Sequence, residues 1–264
     1  MRVMSWVEAG RAWGERALDW AYLCEAFTRQ VNEELFRRVS VGPGTNLIDI
    51  ACGSGFAANL ARNLGANVTG IDASEALIAI ARSRTPQADF RVGDMFSLPF
   101  DDNSFDAAVS FSGIGIGSQN SLSEAARVVR PGGLIGFSFL GSPKRIGLAP
   151  CFEAVLRLSP PSHAVAVAEQ GNTGRPGVAE QLLAEAGLCF VERGIALGIS
   201  EWPDLDIAVR ALASSGTSWP ALKRVGYKRF ADAIRDALSP SLVDGIGLRI
   251  VSEFGWITGR VVGR

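Results

Sequence analysis

The segment Leu47–Gly55, with the sequence LIDIACGSG, holds residue types that could bind a charged small molecule. It lies between an apolar run that predicts a strand and a periodic stretch that predicts a helix. Glycines allow a tight turn and let the backbone approach a ligand closely. The helix that follows offers unpaired N–H groups and the positive end of its dipole. We therefore expect this loop to bind a carboxylate or a phosphate, although a Gly-x-Gly loop alone is a weak indication.

Two further acidic residues follow predicted strands. Asp72 ends the second strand, 23 residues after Asp49, and an acid there can hydrogen-bond both ribose hydroxyls of a nucleoside. Asp94 and Met95 follow the third strand and could contact the edge and the face of an adenine. The alternatives are that Asp72 only caps the next helix and that Asp94 is only a turn residue. We favour the nucleoside interpretation for both acids.

These residues depend on alternating strands and helices. Strands are predicted at 46–51, 67–71, 88–92, 105–111, 134–140, 188–197 and 247–259, and helices at 3–38, 55–64, 74–84, 121–129, 152–158, 177–186, 204–214 and 219–238. Such alternation predicts right-handed crossovers and a largely parallel sheet. The sequence therefore predicts an α/β fold, a Rossmann-like and mostly parallel seven-stranded sheet flanked by helices, with an N-terminal helical segment and a helical cap insertion.

We expect a single domain over 1–264. Within it, residues 1–40 would form a helical lid and residues 41–141 a ligand-binding core. Residues 142–175, which are rich in Gly, Pro and Ser, and residues 200–245 would form the cap that determines substrate specificity.

Composition narrows the class of partner. The 26 Lys and Arg residues nearly balance the 27 Asp and Glu residues, and the formal net charge is -1, which disfavours nucleic acid as a main partner. The four cysteines are scattered and His163 is the only histidine, so no metal site is predicted. We expect a cytoplasmic protein without a signal peptide or a membrane-inserted segment. The sequence leaves open whether it is a monomer or a homodimer.

An ordered set of motifs now resembles class I S-adenosylmethionine-dependent methyltransferases. The set consists of Asp49 with Gly53-Ser54-Gly55, Asp72, Asp94-Met95, Leu98-Pro99-Phe100 and Arg130-Pro131-Gly132-Gly133. It is most similar to the small-molecule group that includes the ubiquinone and menaquinone biosynthesis methyltransferases. The resemblance implies S-adenosylmethionine as cofactor, S-adenosylhomocysteine as product and a small-molecule acceptor. The acceptor is expected to be apolar or aromatic, because Trp202 and Trp219 lie in a fairly apolar cap.

The resemblance also implies roles for matched positions. Gly53 and Gly55 would face the methionine carboxylate and the sulfonium. Asp49 would bind the methionine ammonium through water. Asp72, with Ala73 beside it, would hold the ribose, while Asp94 would bind the adenine amino group and Met95 would line the ring. Phe111 would lie close to the transferred methyl.

This sequence departs from the pattern at two places. Ala51 stands where many members carry glycine, and a small alanine is expected to be tolerated. The segment Gly113–Gly117 lacks the common histidine-containing pattern, and we interpret it as a flexible or tightly packed loop rather than a second phosphate loop.

Few candidate functional residues lie outside these motifs. His163 could act as a general base, although an exposed loop histidine is the favoured interpretation. Trp6 and Trp13 belong to an aromatic stripe that either packs on the sheet or covers cofactor and acceptor as a lid. Cys52 is interpreted as structural rather than as a nucleophile.

Two other functions remain as alternatives. Gly53 to Ala58 also fits a Gly-x-Gly-x-x-Ala fingerprint with an acid at Asp72, as in NAD(P)-dependent oxidoreductases. That interpretation leaves Asp49, Asp94 and the Pro-Gly-Gly turn unexplained. The other alternative is a non-catalytic module that binds the cofactor and acts through a partner. The favoured hypothesis is direct in-line methyl transfer without a covalent enzyme intermediate.

Overall fold

A single mixed sheet forms the centre of the computed structural model, which describes residues 5–263. In chain order the strands are β1 (Asn46–Ile50), β2 (Asn67–Asp72), β3 (Asp89–Val92), β4 (Phe105–Phe111), β5 (Val129–Leu140), β6 (Leu188–Trp202), β7 (Leu242–Val243) and β8 (Gly247–Val261). The sheet order is β3-β2-β1-β4-β5-β8-β6, and β7 pairs with β8. The strands β1 to β5 pair in parallel, whereas β8 is antiparallel to β5 and β6. The predicted fold class is confirmed, with the two-residue β7 as an additional strand.

Helices cover both faces of this sheet. They are α1 (Trp6–Gly14), α2 (Ala17–Asp19), α3 (Arg29–Arg38), α4 (Phe56–Asn63), α5 (Glu75–Arg84), α6 (Gln119–Val128), α7 (Ala149–Leu158), α8 (Pro161–Gly171), α9 (Val178–Glu185), α10 (Leu205–Ala213) and α11 (Trp219–Leu238). A π-helical turn (Trp20–Cys24) and a 3-10 turn (Glu25–Thr28) connect α2 to α3. No helix within the described part of the chain is long and apolar enough to cross a membrane.

The core divides by sheet face. On one face, Ile135 and Phe137 of β5 pack with buried side chains of α6 and α9. On the other, Leu47 and Val109 pack with Phe36 of α3 and with α4 and α5. A separate apolar cluster joins α7, α10 and α11 to the end of β6 and the start of β8. The loops at the ends of the strands are thus held by a closely packed, two-sided core.

The prediction of one continuous helix over 3–38 is wrong; residues 3 and 4 of it lie outside the described part of the chain. α1 ends at Gly14, and Arg16 has the non-helical angles φ -133° and ψ 44°. α1 packs so tightly on the start of α5 that a Cβ on Gly10 would stand 2.1 Å from the carbonyl oxygen of Ala73. The chain turns at Arg16. Residues 17–28, which we name the strap, then lie against the glycine loop, residues 51–55.

A second difference concerns residues 141–175, which were predicted to be irregular around one short helix. They contain α8, which begins at Pro161, the first helical position, where proline is favoured. None of the residues of α8 is buried. A helix that buries no face needs no apolar stripe, so the sequence lacks the helical periodicity that would have predicted α8. In addition, α7 begins at Ala149 and β6 continues to Trp202, both beyond the predicted bounds.

The close contact at Gly10 yields a prediction. We expect Gly10→Ala to displace α1 from Ala73, because overpacking against backbone costs about 1–3 kcal/mol. Limited proteolysis should then cut the N-terminal segment and the strap faster than in the parent protein. Gly42→Ala is the matched control, because nothing lies within 4 Å of a Cβ at that position. Equal cleavage rates for the Gly10 variant and the control would contradict this packing.

Candidate functional site

The glycine loop between β1 and α4 turns through left-handed backbone conformations. Ala51, Gly53 and Gly55 have φ values of 59°, 55° and 75°. A Cβ on Gly55 would stand 2.9 Å from the Cβ of Ala81 in α5, so only glycine fits. Ala51 adopts this conformation at a cost of about 1–2 kcal/mol. Its methyl group fits because the neighbouring Gly113 has no side chain; a Cβ there would stand 2.6 Å away.

Asp72 ties the end of β2 to the glycine loop. One carboxylate oxygen accepts a hydrogen bond from the Gly53 N–H at 2.9 Å, and the other accepts from the Ser74 N–H at 2.8 Å. The N-cap of α5 is Ser74, whose hydroxyl accepts from the Leu77 N–H. Burial raises the pKa of Asp72, and the N–H donors partly offset that rise. Asp72 therefore does more than cap a helix: it holds the loop and keeps free lone pairs.

Asp49 carries a buried carboxylate that lacks a partner. The residue is 1% exposed, and neither carboxylate oxygen has a hydrogen bond. Desolvation raises the pKa of Asp49 well above its ordinary value, and the nearby carboxylates of Asp72 and Glu25 raise it further. A buried polar group without a partner is costly. A cationic group that reached this carboxylate, directly or through water, would relieve that cost.

Glu25 is a site residue that the sequence analysis missed. It lies in the strap, is 5% exposed, and accepts hydrogen bonds from the Ser54 hydroxyl and the Arg84 guanidinium. A single helix over 3–38 gave no reason to bury this acid. Its partners stand 29 and 59 residues further along the chain, where periodicity carries no information. The one signal in the sequence for this role was that Glu25 is an acidic residue within the stripe of aromatic residues.

Of the residues predicted to contact adenine, Asp94 makes a turn contact with one carboxylate oxygen only. One carboxylate oxygen of Asp94 accepts a hydrogen bond from the Phe96 N–H at 2.9 Å, which is the turn contact that the sequence allowed. Met95 is partly buried against the core cluster that includes Leu98. Ala73 lies beneath Gly10 of α1. The roles of Asp94, Met95 and Ala73 toward a nucleoside stay predictions.

The loop after β4 is closely packed. Phe111 contacts Phe36 of α3 edge to face, with ring centroids 5.5 Å apart. A Cβ on Gly113 would also stand 2.8 Å from the Ser110 hydroxyl, and the Gly115 N–H donates to the Ser118 hydroxyl at 2.8 Å. The tightly packed interpretation of Gly113–Gly117 therefore fits the structure better than a phosphate loop.

Trp13 and His163 approach each other through one turn. A Cβ on Gly216 would stand 2.6 Å from the Trp13 ring. The adjacent Thr217 carbonyl oxygen lies 3.1 Å from Nε2 of His163, so that nitrogen is the donor. His163 was predicted in a loop but lies on α8, half-buried. Trp6 begins α1 and is 37% exposed.

Cys52 lies behind the glycine loop rather than at its open side. It is 7% exposed, and burial together with Asp49 and Asp72 raises the pKa of its thiol well above the ordinary value. A thiol that stays protonated is a poor nucleophile. This supports the structural interpretation of Cys52.

The unpaired carboxylate of Asp49 predicts how stability depends on pH. Because the folded protein raises its pKa above the ordinary 3.8, its protonated form favours folding. This contribution is present at low pH and is lost as pH rises through the folded pKa, by up to about 1.4 kcal/mol per pH unit between the two values. We expect Asp49→Asn to remove the loss, so that the variant gains stability over the parent as pH rises.

Urea unfolding of the ligand-free proteins from about pH 5 to about pH 9 measures this difference. The exposed Asp101 provides the control variant Asp101→Asn, which should follow the parent. If the free energies of unfolding of Asp49→Asn and of the parent changed in parallel with pH, the prediction would be contradicted, because the carboxylate would then have a compensating partner in solution.

The core matches a family model, and part of the chain is similar to named relatives. Residues 48–137 match a family model described as a methyltransferase domain. A probable S-adenosylmethionine-dependent methyltransferase of Mycolicibacterium smegmatis is 35% identical over 40% of this chain and 41% of its own length. A malonyl-[acyl-carrier protein] O-methyltransferase of Serratia marcescens is 34% identical over 46% of this chain and 49% of its own. A demethylmenaquinone methyltransferase of Renibacterium salmoninarum is 34% identical over 40% and 46%. The chain thus spans less than half the length of each of these relatives.

A solved structure extends the likeness to the whole fold. The YcgJ protein of Bacillus subtilis superposes with a TM-score of 0.60 over 88% of this chain and 98% of its own, at 16% identity. At this identity the likeness concerns the fold. The resemblance predicted from the ordered motifs is confirmed for part of the core: residues 48–137 match a methyltransferase domain, and the similar proteins include a probable S-adenosylmethionine-dependent methyltransferase.

Proposed function

We propose that this chain binds S-adenosylmethionine at the carboxyl ends of β1, β2, β3 and β4 and transfers its methyl group to a small-molecule acceptor. The observation that carries the proposal is the buried, unpartnered carboxylate of Asp49 beside a left-handed glycine loop within a methyltransferase domain. A ligand with both an ammonium and a carboxylate complements these two features, because the loop and the N-terminus of α4 favour an anion.

Each matched residue then has a distinct task. Backbone N–H groups near Gly53 and Gly55 would hold the methionine carboxylate. Asp49 would pair with the ammonium, and Asp72 would use its remaining lone pairs for the ribose hydroxyls. Asp94, through its free carboxylate oxygen, would accept from the adenine amino group.

The reaction itself needs little from side chains. The cofactor supplies a methyl group on a positive sulfur, and the protein must align the acceptor in line with that bond at about 3 Å while excluding water. Phe111 would stand near the transferred methyl. We propose an acceptor with an intrinsically nucleophilic atom, such as an electron-rich carbon, a phenolate or an amine.

Apolar walls support an apolar or aromatic acceptor. Aromatic rings run from α1 to β8 in the order Trp13, Trp20, Phe27 and Phe254, with successive centroids 4.7, 6.5 and 5.4 Å apart. We propose that the lid (1–40) and the cap segments (142–175 and 200–245) enclose the acceptor against these rings. Two of the relatives are named for demethylmenaquinone and for malonyl-[acyl-carrier protein], which are the two acceptor types to compare first.

Calorimetric titration with S-adenosylmethionine, S-adenosylhomocysteine, NAD and NADP tests the cofactor. We expect micromolar affinity for the two sulfur ligands, about -8 kcal/mol. Asp72→Asn should weaken both about 10- to 100-fold, because it removes a charged acceptor from the ribose. Asp89→Asn is the control, because Asp89 lies at the start of β3 and pairs with Arg91. Binding of a nicotinamide cofactor alone would reassign the site to hydride transfer.

A second test concerns the general base. With a panel of naphthoquinols, phenols, amines and malonyl thioesters, we expect His163→Ala to keep turnover within about tenfold of the parent. The reason is that the proposed acceptor needs no protein base and base catalysis typically contributes about 100-fold or more. Loss of turnover with intact cofactor affinity would instead identify His163 as the base.

A further inference from the structure

The strap is fastened to the cofactor loop by a buried polar cluster. The carboxylate of Glu25 accepts from Ser54 and Arg84. Arg84 also donates to the Ser54 hydroxyl at 2.9 Å and to the carbonyl oxygen of Ala21 at 3.1 Å. One cluster therefore joins the strap, the glycine loop and the end of α5.

The same cluster faces the open side of the loop. A Cβ on Gly53 would stand 3.9 Å from Oε2 of Glu25 and 3.7 Å from the indole nitrogen of Trp20. The Glu25 oxygen that bonds Ser54 and Arg84 is the other one, Oε1. Oε2 thus points toward the backbone where the methionine end of the cofactor would lie.

Three carboxylates consequently surround the glycine loop, those of Glu25, Asp49 and Asp72. Only Glu25 is paired with a cation, and both oxygens of Asp49 are buried and unpartnered. Among the described residues no group of His, Cys, Asp and Glu is arranged to hold a metal ion. A ligand with positive centres would balance the negative charge of these carboxylates.

We propose that Glu25 is a positioning residue of the cofactor site, which fastens the strap over the methionine end and adds a third carboxylate that favours a ligand with two positive centres. This inference rests on the proposed function. The ammonium and the sulfonium of S-adenosylmethionine are both positive, whereas the sulfur of S-adenosylhomocysteine is neutral. The carboxylate of Glu25 should therefore distinguish substrate from product by charge as well as by fit.

Proton linkage provides an independent signature. Desolvation raises the pKa of Glu25, although Ser54 and Arg84 lower it in part, and it also raises the pKa of Asp49 and of Asp72. A cationic ligand favours the ionised carboxylates, so its affinity rises with pH while these groups lose their protons.

The two buried thiols near the cluster do not compete for this role. Burial raises the pKa of the Cys24 thiol to about 12 and that of Cys52 well above its ordinary value. Tyr22 contacts the Arg84 guanidinium through its ring. Neither thiol ionises in the working range.

The experiment compares Glu25→Gln with the parent in calorimetric titrations of S-adenosylmethionine and S-adenosylhomocysteine between about pH 6 and about pH 9. The glutamine keeps an oxygen for Ser54 and Arg84 but removes the charge. We expect about a tenfold or greater loss of affinity for S-adenosylmethionine, about threefold or less for S-adenosylhomocysteine, and a shallower pH dependence. Glu25→Asp should partly restore the preference.

Glu33→Gln is the control, because Glu33 lies on α3 with its side chain 54% exposed beside Arg29. Equal losses for both ligands with an unchanged pH profile would reduce Glu25 to a structural clamp and overturn the proposal. Unchanged affinity in Glu25→Gln would overturn it as well.

A second measurement on the parent protein covers the case in which Glu25→Gln fails to fold. In calorimetric titrations in two buffers of different ionisation enthalpy, binding of S-adenosylmethionine must release more protons than binding of S-adenosylhomocysteine. Failure of the parent to bind either ligand would refute the proposed function instead.

Discussion

An unpaired carboxylate in the middle of a parallel sheet constrains this site. Asp49 occupies a β1 position where its backbone is used by pairing with β2 and β4 and its side chain has no partner. A charge in that position favours the folded state only when a counter-ion or a proton accompanies it. The left-handed loop that follows Asp49 makes room for such a partner, and Asp72 fixes the loop through the Gly53 N–H. Binding of a cationic ligand would therefore relieve the free-energy cost of burying the Asp49 carboxylate.

The strap explains why the N-terminal segment abandons α-helical geometry. A continuous helix would carry residues 17–28 away from the sheet, whereas the turns at Arg16 and at Trp20–Cys24 bring Glu25 against Ser54. The strap is also bound to the cap. The Trp202 indole donates to the Leu23 carbonyl oxygen at 2.7 Å, and Arg210 pairs with Asp19 at 2.5 Å. π-helical turns often mark functional sites, and this one lies where the strap contacts both the cap and the glycine loop.

Local rules determined most of the core, which is why the sequence predicted it. The strand β4 over Phe105–Phe111, the N-cap at Ser74 and the left-handed Gly53 and Gly55 all follow from short-range sterics and hydrogen bonding. The missed features depend on contacts between distant residues. α8 has no buried stripe to reveal it, and the burial of Glu25 depends on Arg84, which periodicity cannot connect to it. The break after Gly14 accompanies the close packing of Gly10 on the carbonyl oxygen of Ala73, a contact that no spacing encodes.

The proposed acceptor end differs from the proposed cofactor end for the same reason. Backbone turns build the glycine loop, and residues 48–137, which include it, match the methyltransferase family model. Side chains of the strap and the cap would line the acceptor end under the proposed function, and apolar patterning there shows only that they are buried. The two ends are nevertheless mechanically joined, because Trp20 touches both the Gly53 loop and the ring of Phe27, and Phe27 packs on Phe254 of β8. In a densely packed interior, a displacement of Phe27 must also move Trp20. Under the proposed function, this continuous line of rings would couple acceptor binding to closure over the cofactor.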